Sequence, residues 1–193
     1  MTKADLPLTL SPSSVTEGLT ETTGDPHIPG ATWYETDVEG AGLGYTFAPG
    51  ALAGATTLSA DWLLDGTELV TFVVLLQEGA DGPTFRMSFG LLNQCSARMR
   101  IPLEAVNQNR WGYPREGAWL KPLCGGDRVD LHKVDRIRIE VLRKGPSPAR
   151  FCVTPVTASV TPPPQLDKLV LPGGVLLDEL GQSALHDWPA KTS

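Results

Sequence analysis

Leu69-Val70-Thr71-Phe72-Val73-Val74-Leu75-Leu76-Gln77, followed after a gap by Phe85-Arg86-Met87-Ser88-Phe89, decides the fold. In the first stretch Val70, Phe72, Val74 and Leu76 fall on one face of a period-two pattern. Val73 and Leu75 fall on the other, so the stretch suits a central strand covered on both sides. The second alternates, with Phe85, Met87 and Phe89 opposed to Arg86 and Ser88, as on a strand with one face in a core. Asp81-Gly82 lies between the two and Asp65-Gly66 precedes them, and both are turn pairs. The same period recurs outward along the chain. Met99, Ile101 and Leu103 oppose Arg98 and Arg100; Ile137, Ile139 and Val141 oppose Arg136, Arg138 and Glu140. Trp33-Tyr34-Glu35-Thr36, Tyr45-Thr46-Phe47, Leu58 to Leu64 and Phe151 to Thr157 complete the set. About eight short strands without helical periodicity read as an all-β antiparallel sandwich, a jelly roll.

The flanks differ in character. Residues 1–30 are rich in Thr, Ser, Pro and Gly and read as an extended lead-in. Residues 31–158 form the sandwich. Pro162-Pro163-Pro164 then opens a Pro-rich tail over 159–193, with too few apolar residues for a core of its own. The full length of 193 residues suits one such domain plus tail, and 20 Gly with 17 Pro fit a turn-rich fold. The net charge of -6 argues against general nucleic-acid binding. It hides an asymmetry. Twelve of the 16 Lys+Arg, but only six of the 22 acids, lie between Arg98 and Arg150, so that window is +6 and the remainder -12. Basic strands paired with acidic ones explain this, and so does a basic surface for an anionic or hydroxylated ligand. No run approaches the ~20 apolar residues of a membrane span, and Met1-Thr2-Lys3-Ala4-Asp5 does not read as a signal peptide.

Catalytic and metal signatures are sparse. The chain lacks the nucleophile-elbow, phosphate-loop, zincin and dinucleotide motifs. His27, His132 and His186 do not cluster, and Cys95, Cys124 and Cys152 form no CxxC, so no catalytic residue and no metal ligand set is assigned. The three cysteines fit thiols behaving as small apolar residues, or one bridge such as Cys95 to Cys124. Glu35, Asp37 and Glu39 alternate as if on one strand face, but acids beside a glycine-rich turn are ordinarily solvated. Structural calcium is the one ion such sandwiches commonly take; Asp25, Asp37, Glu39, Asp127 and Asp130 are the candidates, with no spacing that singles them out.

The most unusual segment runs from Asn107 to Lys121, between two strands. It holds two of the five Trp and one of the three Tyr, with amide and guanidinium donors. Trp111, Tyr113 and Trp119 offer aromatic faces to the C–H face of a pyranose. Asn107, Asn109, Arg110, Arg115 and Glu116 offer hydrogen bonds to hydroxyls. The alternatives are a buried loop with Trp111 and Trp119 filling the sandwich end, or a loop that faces a partner domain. Trp33, Tyr34 and Trp62 sit in alternating strands and read as core. If the Arg98–Arg100 and Arg136–Arg138 strands are neighbours, their arginines make one basic face.

Leu91-Leu92-Asn93-Gln94, Arg100-Ile101-Pro102-Leu103, Asn107 to Trp111 and Arg115 to Lys121 together resemble the N-terminal module of agarase-type glycoside hydrolases, family 50 and relatives. Val134 to Ile139 resembles the late strand of galactose-binding-like jelly rolls. Leu177 to Gln182, then Asp187 to Lys191, is similar to the junction at which those enzymes enter their catalytic (β/α)8 barrel. The resemblance covers residues 31–192 and implies a carbohydrate-binding-like sandwich in a secreted or cell-surface parent. A barrel takes about 250 residues, more than follow the sandwich here. The expectation is therefore a non-catalytic module binding a galactan-type or anionic polysaccharide or oligosaccharide, attached to a barrel in its parent, with no nucleic-acid or membrane partner. One alternative is a structural accessory domain bracing the barrel's active site. A lesser one is a small stand-alone lyase or hydrolase, for which Tyr113, Arg110 and Gln108 supply part of a set.

Overall fold

The structure, a computed structural model, describes residues 8–15, 18–25, 28–94, 96–103, 106–107, 114–115, 118–119 and 124–160. The strands in chain order are β1 (Leu8–Thr9), β2 (Pro12–Val15), β3 (Leu19–Thr22), β4 (Thr32–Thr36), β5 (Gly42–Thr46), β6 (Thr57–Leu64), β7 (Val70–Gln77) and β8 (Thr84–Leu91). They continue as β9 (Ser96–Pro102), β10 (Pro114–Arg115), β11 (Ala118–Trp119), β12 (Cys124–Gly126), β13 (Arg136–Arg143), β14 (Ala149–Val153) and β15 (Thr157–Ser159). No α-helix occurs among the described residues.

Every pairing is antiparallel. Sheet I runs β1-β15-β6-β14-β4-β3, and sheet II runs β12-β8-β7-β13-β5-β2. Strand β6 organises sheet I. Its first half pairs with β15 (Ala158 opposite Leu58), its second half with β14 (Phe151 opposite Leu64), and its other edge takes β9 along nearly its whole length. In sheet II, β7 lies between β8 and β13, the central place its two-sided apolar pattern predicts. Val73, on its outer face, is buried between Ser88 and Glu140.

The inner faces follow the period-two pattern. Leu43, Val74 and Met87 align through Ile139 across sheet II, and the next rung is Phe72 between Val141 and Phe89. Sheet I supplies Leu58, Ala60, Trp62 and Leu64 with Phe151 and Tyr34. The sheets join through aromatic rings. Trp62 of β6 lies 4.9 Å from Phe72 and 5.5 Å from Phe89 of sheet II, and Phe151 meets Phe72 edge-on at 5.1 Å. Such rings bury large apolar area and prefer tilted or edge contacts, so they hold the two layers in one register. Trp33, Tyr34 and Trp62 are all buried; Tyr34 and Trp62 belong to the core cluster, whereas Trp33 lies outside it.

The extended lead-in is woven into both sheets. β2 pairs with β5, β3 with β4 and β1 with β15, so the sandwich draws edge strands from before residue 31. Composition showed only that this segment is turn-rich. Its pairing partners lie far away in the chain, where local pattern gives no signal. The tail from residue 161 lies outside the described residues.

Candidate functional site

The aromatic loop leaves β9 at one end of the sandwich. Its base is tied by Thr56, whose carbonyl accepts from Leu103 N at 2.8 Å and whose own N–H donates to Ser159 O at 2.7 Å. Asn107 adopts a left-handed backbone, φ 71°, which asparagine tolerates better than most residues. Its Nδ2 donates to Val129 O at 2.6 Å and its Oδ1 accepts from Val129 N at 2.8 Å. That side chain clamps the start of the loop to the segment preceding β13. Further on, β10 and β11 pair antiparallel, with Arg115 opposite Ala118 and Pro114 opposite Trp119. Asn109, Arg110, Trp111, Tyr113 and Glu116 lie outside the described residues, as do the side chains of Arg115 and Trp119.

A second feature lies on the outer face of sheet I. Thr23, Gly24, Asp25 and Ile28 wall a trough of about 970 Å³ on this face, floored by Trp33, Leu63 and Ser96. The wall is fixed at Trp33. The indole Nε1 donates to Asp25 O at 3.1 Å, and Gly24 sits so close that a Cβ there would overlap the ring. The Arg150 guanidinium lies 4.6 Å from the ring centroid, pairs with Asp65 and donates to Thr23 O at 2.9 Å. The cation–π contact and the hydrogen bond to Thr23 O therefore tie one wall of the trough to its floor. Cys152 is fully buried beneath, and burial pushes its thiol pKa up.

The trough continues through two adjoining cavities. One, of about 530 Å³, is lined by Ile28, Pro29, Ser96, Arg98 and Arg100; the next, of about 400 Å³, by Ser59, Asp61, Arg100, Pro155 and Thr157. Arg98 stands directly opposite Asp61, donating from Nε to Oδ1 at 2.5 Å and from Nη2 to Oδ2 at 2.8 Å. This fork holds the Asp61 carboxyl below its ordinary pKa. Arg100 is exposed and has no ion pair among the described residues. Opposite it lies Ser59, whose hydroxyl meets that of Thr157 at 2.9 Å.

The basic window is largely answered by acids. Arg98 takes Asp61, Arg150 takes Asp65, Arg138 takes Glu140, Arg136 takes Asp135 at 3.4 Å, Lys133 takes Asp130 at 3.9 Å and Lys144 takes Asp37 at 3.9 Å. The single basic face does not form. β9 belongs to sheet I and β13 to sheet II, so Arg98 and Arg100 are on a different sheet from Arg136 and Arg138. Nor do Glu35, Asp37 and Glu39 share a strand face. β4 ends at Thr36, whose Oγ1 accepts from Val38 N at 2.9 Å and turns the chain.

Three of the calcium candidates accept backbone N–H groups. Glu39 accepts from Lys144 N at 3.1 Å, Asp127 from Thr84 N at 3.2 Å and Asp130 from His132 N at 3.0 Å. Among the described residues no three His, Cys, Asp or Glu converge as a metal site. Cys124 and Cys152 are thiols, and Cys95 lies outside the described residues. Sequence reasoning missed the trough. Gly24, Asp61 and Arg150 come together there from three distant segments, and the one readable signal was the charged polar face of β9.

Neither the scan of protein-family models nor the search of curated proteins finds a match to the sequence. Solved structures do share the fold. An agarase, AgWH50C, aligns with TM-score 0.55 and 10% identity over 86% of this chain and 26% of its own. PfGH50B aligns with TM-score 0.54 and 12% identity over 89% and 28%. An exo-β-agarase aligns with TM-score 0.52 and 13% identity over 87% and 25%. The chain thus spans about a quarter of the length of these structures, and the likeness is one of fold.

Proposed function

We propose that this sandwich is a non-catalytic carbohydrate-binding module of a polysaccharide-degrading glycoside hydrolase, taking a galactan-type or anionic polysaccharide. One observation carries the reading: nearly the whole sandwich aligns with about a quarter of two agarases, leaving the greater part of those enzymes unmatched. Binding would hold an attached catalytic barrel on its polymer and raise the local substrate concentration. Trp111, Tyr113 and Trp119 stack on sugar rings. Asn109, Arg110, Arg115 and Glu116 bond the hydroxyls, and Asn107 holds the loop through Val129.

Affinity electrophoresis through agarose, carrageenan, ulvan and alginate tests this. The expected result is retardation in at least one gel, reduced by Trp111→Ala. Unchanged mobility in all four would overturn it. A second reading, a domain bracing the active site of the attached barrel, is favoured by Thr56. It links Leu103, just before the loop, to Ser159 of β15, the last described strand. That reading expects no retardation of the module alone but lower activity of the parent enzyme with Trp111→Ala.

A further inference from the structure

We infer that the trough on the outer face of sheet I is a second ligand site, centred on Arg100, for a sulfate or carboxylate group carried on a sugar chain. The inference rests on the carbohydrate-binding reading and goes beyond it by placing a charge-selective contact away from the aromatic loop.

The argument starts from charge. Two guanidinium groups, Arg98 and Arg100, face one carboxylate, Asp61. The Arg98 fork uses both oxygens of Asp61. Arg100 acts on Asp61 through charge and makes no ion pair among the described residues, and its planar fork matches a carboxylate or sulfate edge. Position comes next. Arg100 lines both of the adjoining cavities, with Ile28 and Pro29 on one side and Pro155 and Thr157 on the other. These walls are apolar or weakly polar and suit the C–H faces of a sugar. Composition of the rung is the third element. From Arg100 the register crosses Ser59 to Thr157, so cation and hydroxyls stand in line across three strands. That is roughly 10 Å at ordinary strand spacing, long enough for more than one pyranose ring. A neutral chain would use the hydroxyls and walls alone. An anionic chain adds the Arg100 contact, which is exposed and therefore screened by salt.

Two measurements on the whole chain test the site. In affinity electrophoresis, Arg100→Ala should weaken retardation in carrageenan or alginate by about fivefold, the scale of one exposed charge pair. Retardation in agarose should not change. Arg100 is exposed and has no ion pair among the described residues, so the variant should fold normally. Carrageenan against alginate separates sulfate from carboxylate. Where the parent protein is retarded, an equal loss in agarose, or no loss in either anionic gel, would overturn the inference while leaving the module reading intact. The second measurement reads the site directly. The Arg100 Nε–Hε resonance should shift with galactose 6-sulfate or galacturonate and stay still with galactose. An equal shift with inorganic sulfate would reduce it to a plain anion contact and overturn the sugar site. A shift without any polymer retardation would sustain the contact and defeat the module reading.

Discussion

The two outer faces of the sandwich both carry arginines, and they use them differently. On sheet II the ion pairs are local: Arg138 with Glu140 on the same strand, and Arg136 with the adjacent Asp135. On sheet I they join distant segments: Arg98 with Asp61 across the β6–β9 ladder, and Arg150 with Asp65 across the end of β6. Sheet I also carries Thr23, Gly24, Asp25 and Ile28 along its outer face, which wall it into a trough. The difference teaches that net charge alone does not mark a site. A site needs a cation left over from pairing and a concave place to put the ligand, and on sheet I the two coincide at Arg100.

The largest expected effect falls on what both faces share. Phe72 touches Trp62, Phe89 and Phe151 in the layer between the sheets. Phe72→Ala should cost about 3–5 kcal/mol through lost burial and a cavity. Urea unfolding would measure it, and the Arg100 and Arg138 Nε–Hε resonances on the two faces should lose their native positions together. A loss under 1 kcal/mol would mean that the faces do not depend on a common aromatic layer.

Gly24→Ala sharpens the contrast by striking one face. Its new Cβ would overlap the Trp33 ring, so either the ring or the wall must move. A cost of about 1–3 kcal/mol follows from such overpacking. Trp33 emission should shift to the red and retention in anionic gels should fall. The Arg138 Nε–Hε resonance on sheet II should stay in place. The matched test on that face is Arg138→Ala, whose effect on carrageenan or alginate retention should be much smaller than that of Arg100→Ala. Equal losses would show that the protein responds to total charge and not to the trough.

Most of the fold was legible because a period of two needs only neighbouring residues to be read. The pattern of Leu69 to Gln77 placed β7 at the centre of a sheet, and the alternation from Phe85 to Phe89 gave β8 its inner face. The edge strands of the lead-in were not legible, because Leu19 finds Thr36 and Pro12 finds Tyr45 through pairing that no local pattern records. The trough was hidden for the same reason. Arg98 and Arg100 were visible as a polar strand face, but whether each had a partner depended on Asp61, 37 positions from Arg98. The two-strand basic face failed on the assignment of β9 and β13 to different sheets, which alternation cannot supply.

The smallest expected effect concerns Asp61, and its sign separates the two roles of the fork. The Arg98 hydrogen bonds hold the Asp61 carboxyl below its unfolded value, against the opposing pull of desolvation. Its contribution to stability is therefore present above the unfolded carboxyl pKa of about 3.9 and is lost as pH falls through the folded value. Asp61→Asn should lower Tm slightly at pH 7, and the gap to the parent protein should close as pH falls toward 3. The pair is exposed, so added salt should shrink the gap at pH 7 as well. Binding should move the other way. Removing the carboxylate frees Arg98 beside Arg100, so Asp61→Asn should strengthen retention in the anionic gel while Arg100→Ala weakens it. A protein that merely balances its surface charge would lose stability in Asp61→Asn and gain nothing in binding, whereas a trough that selects an anion gains a second cation.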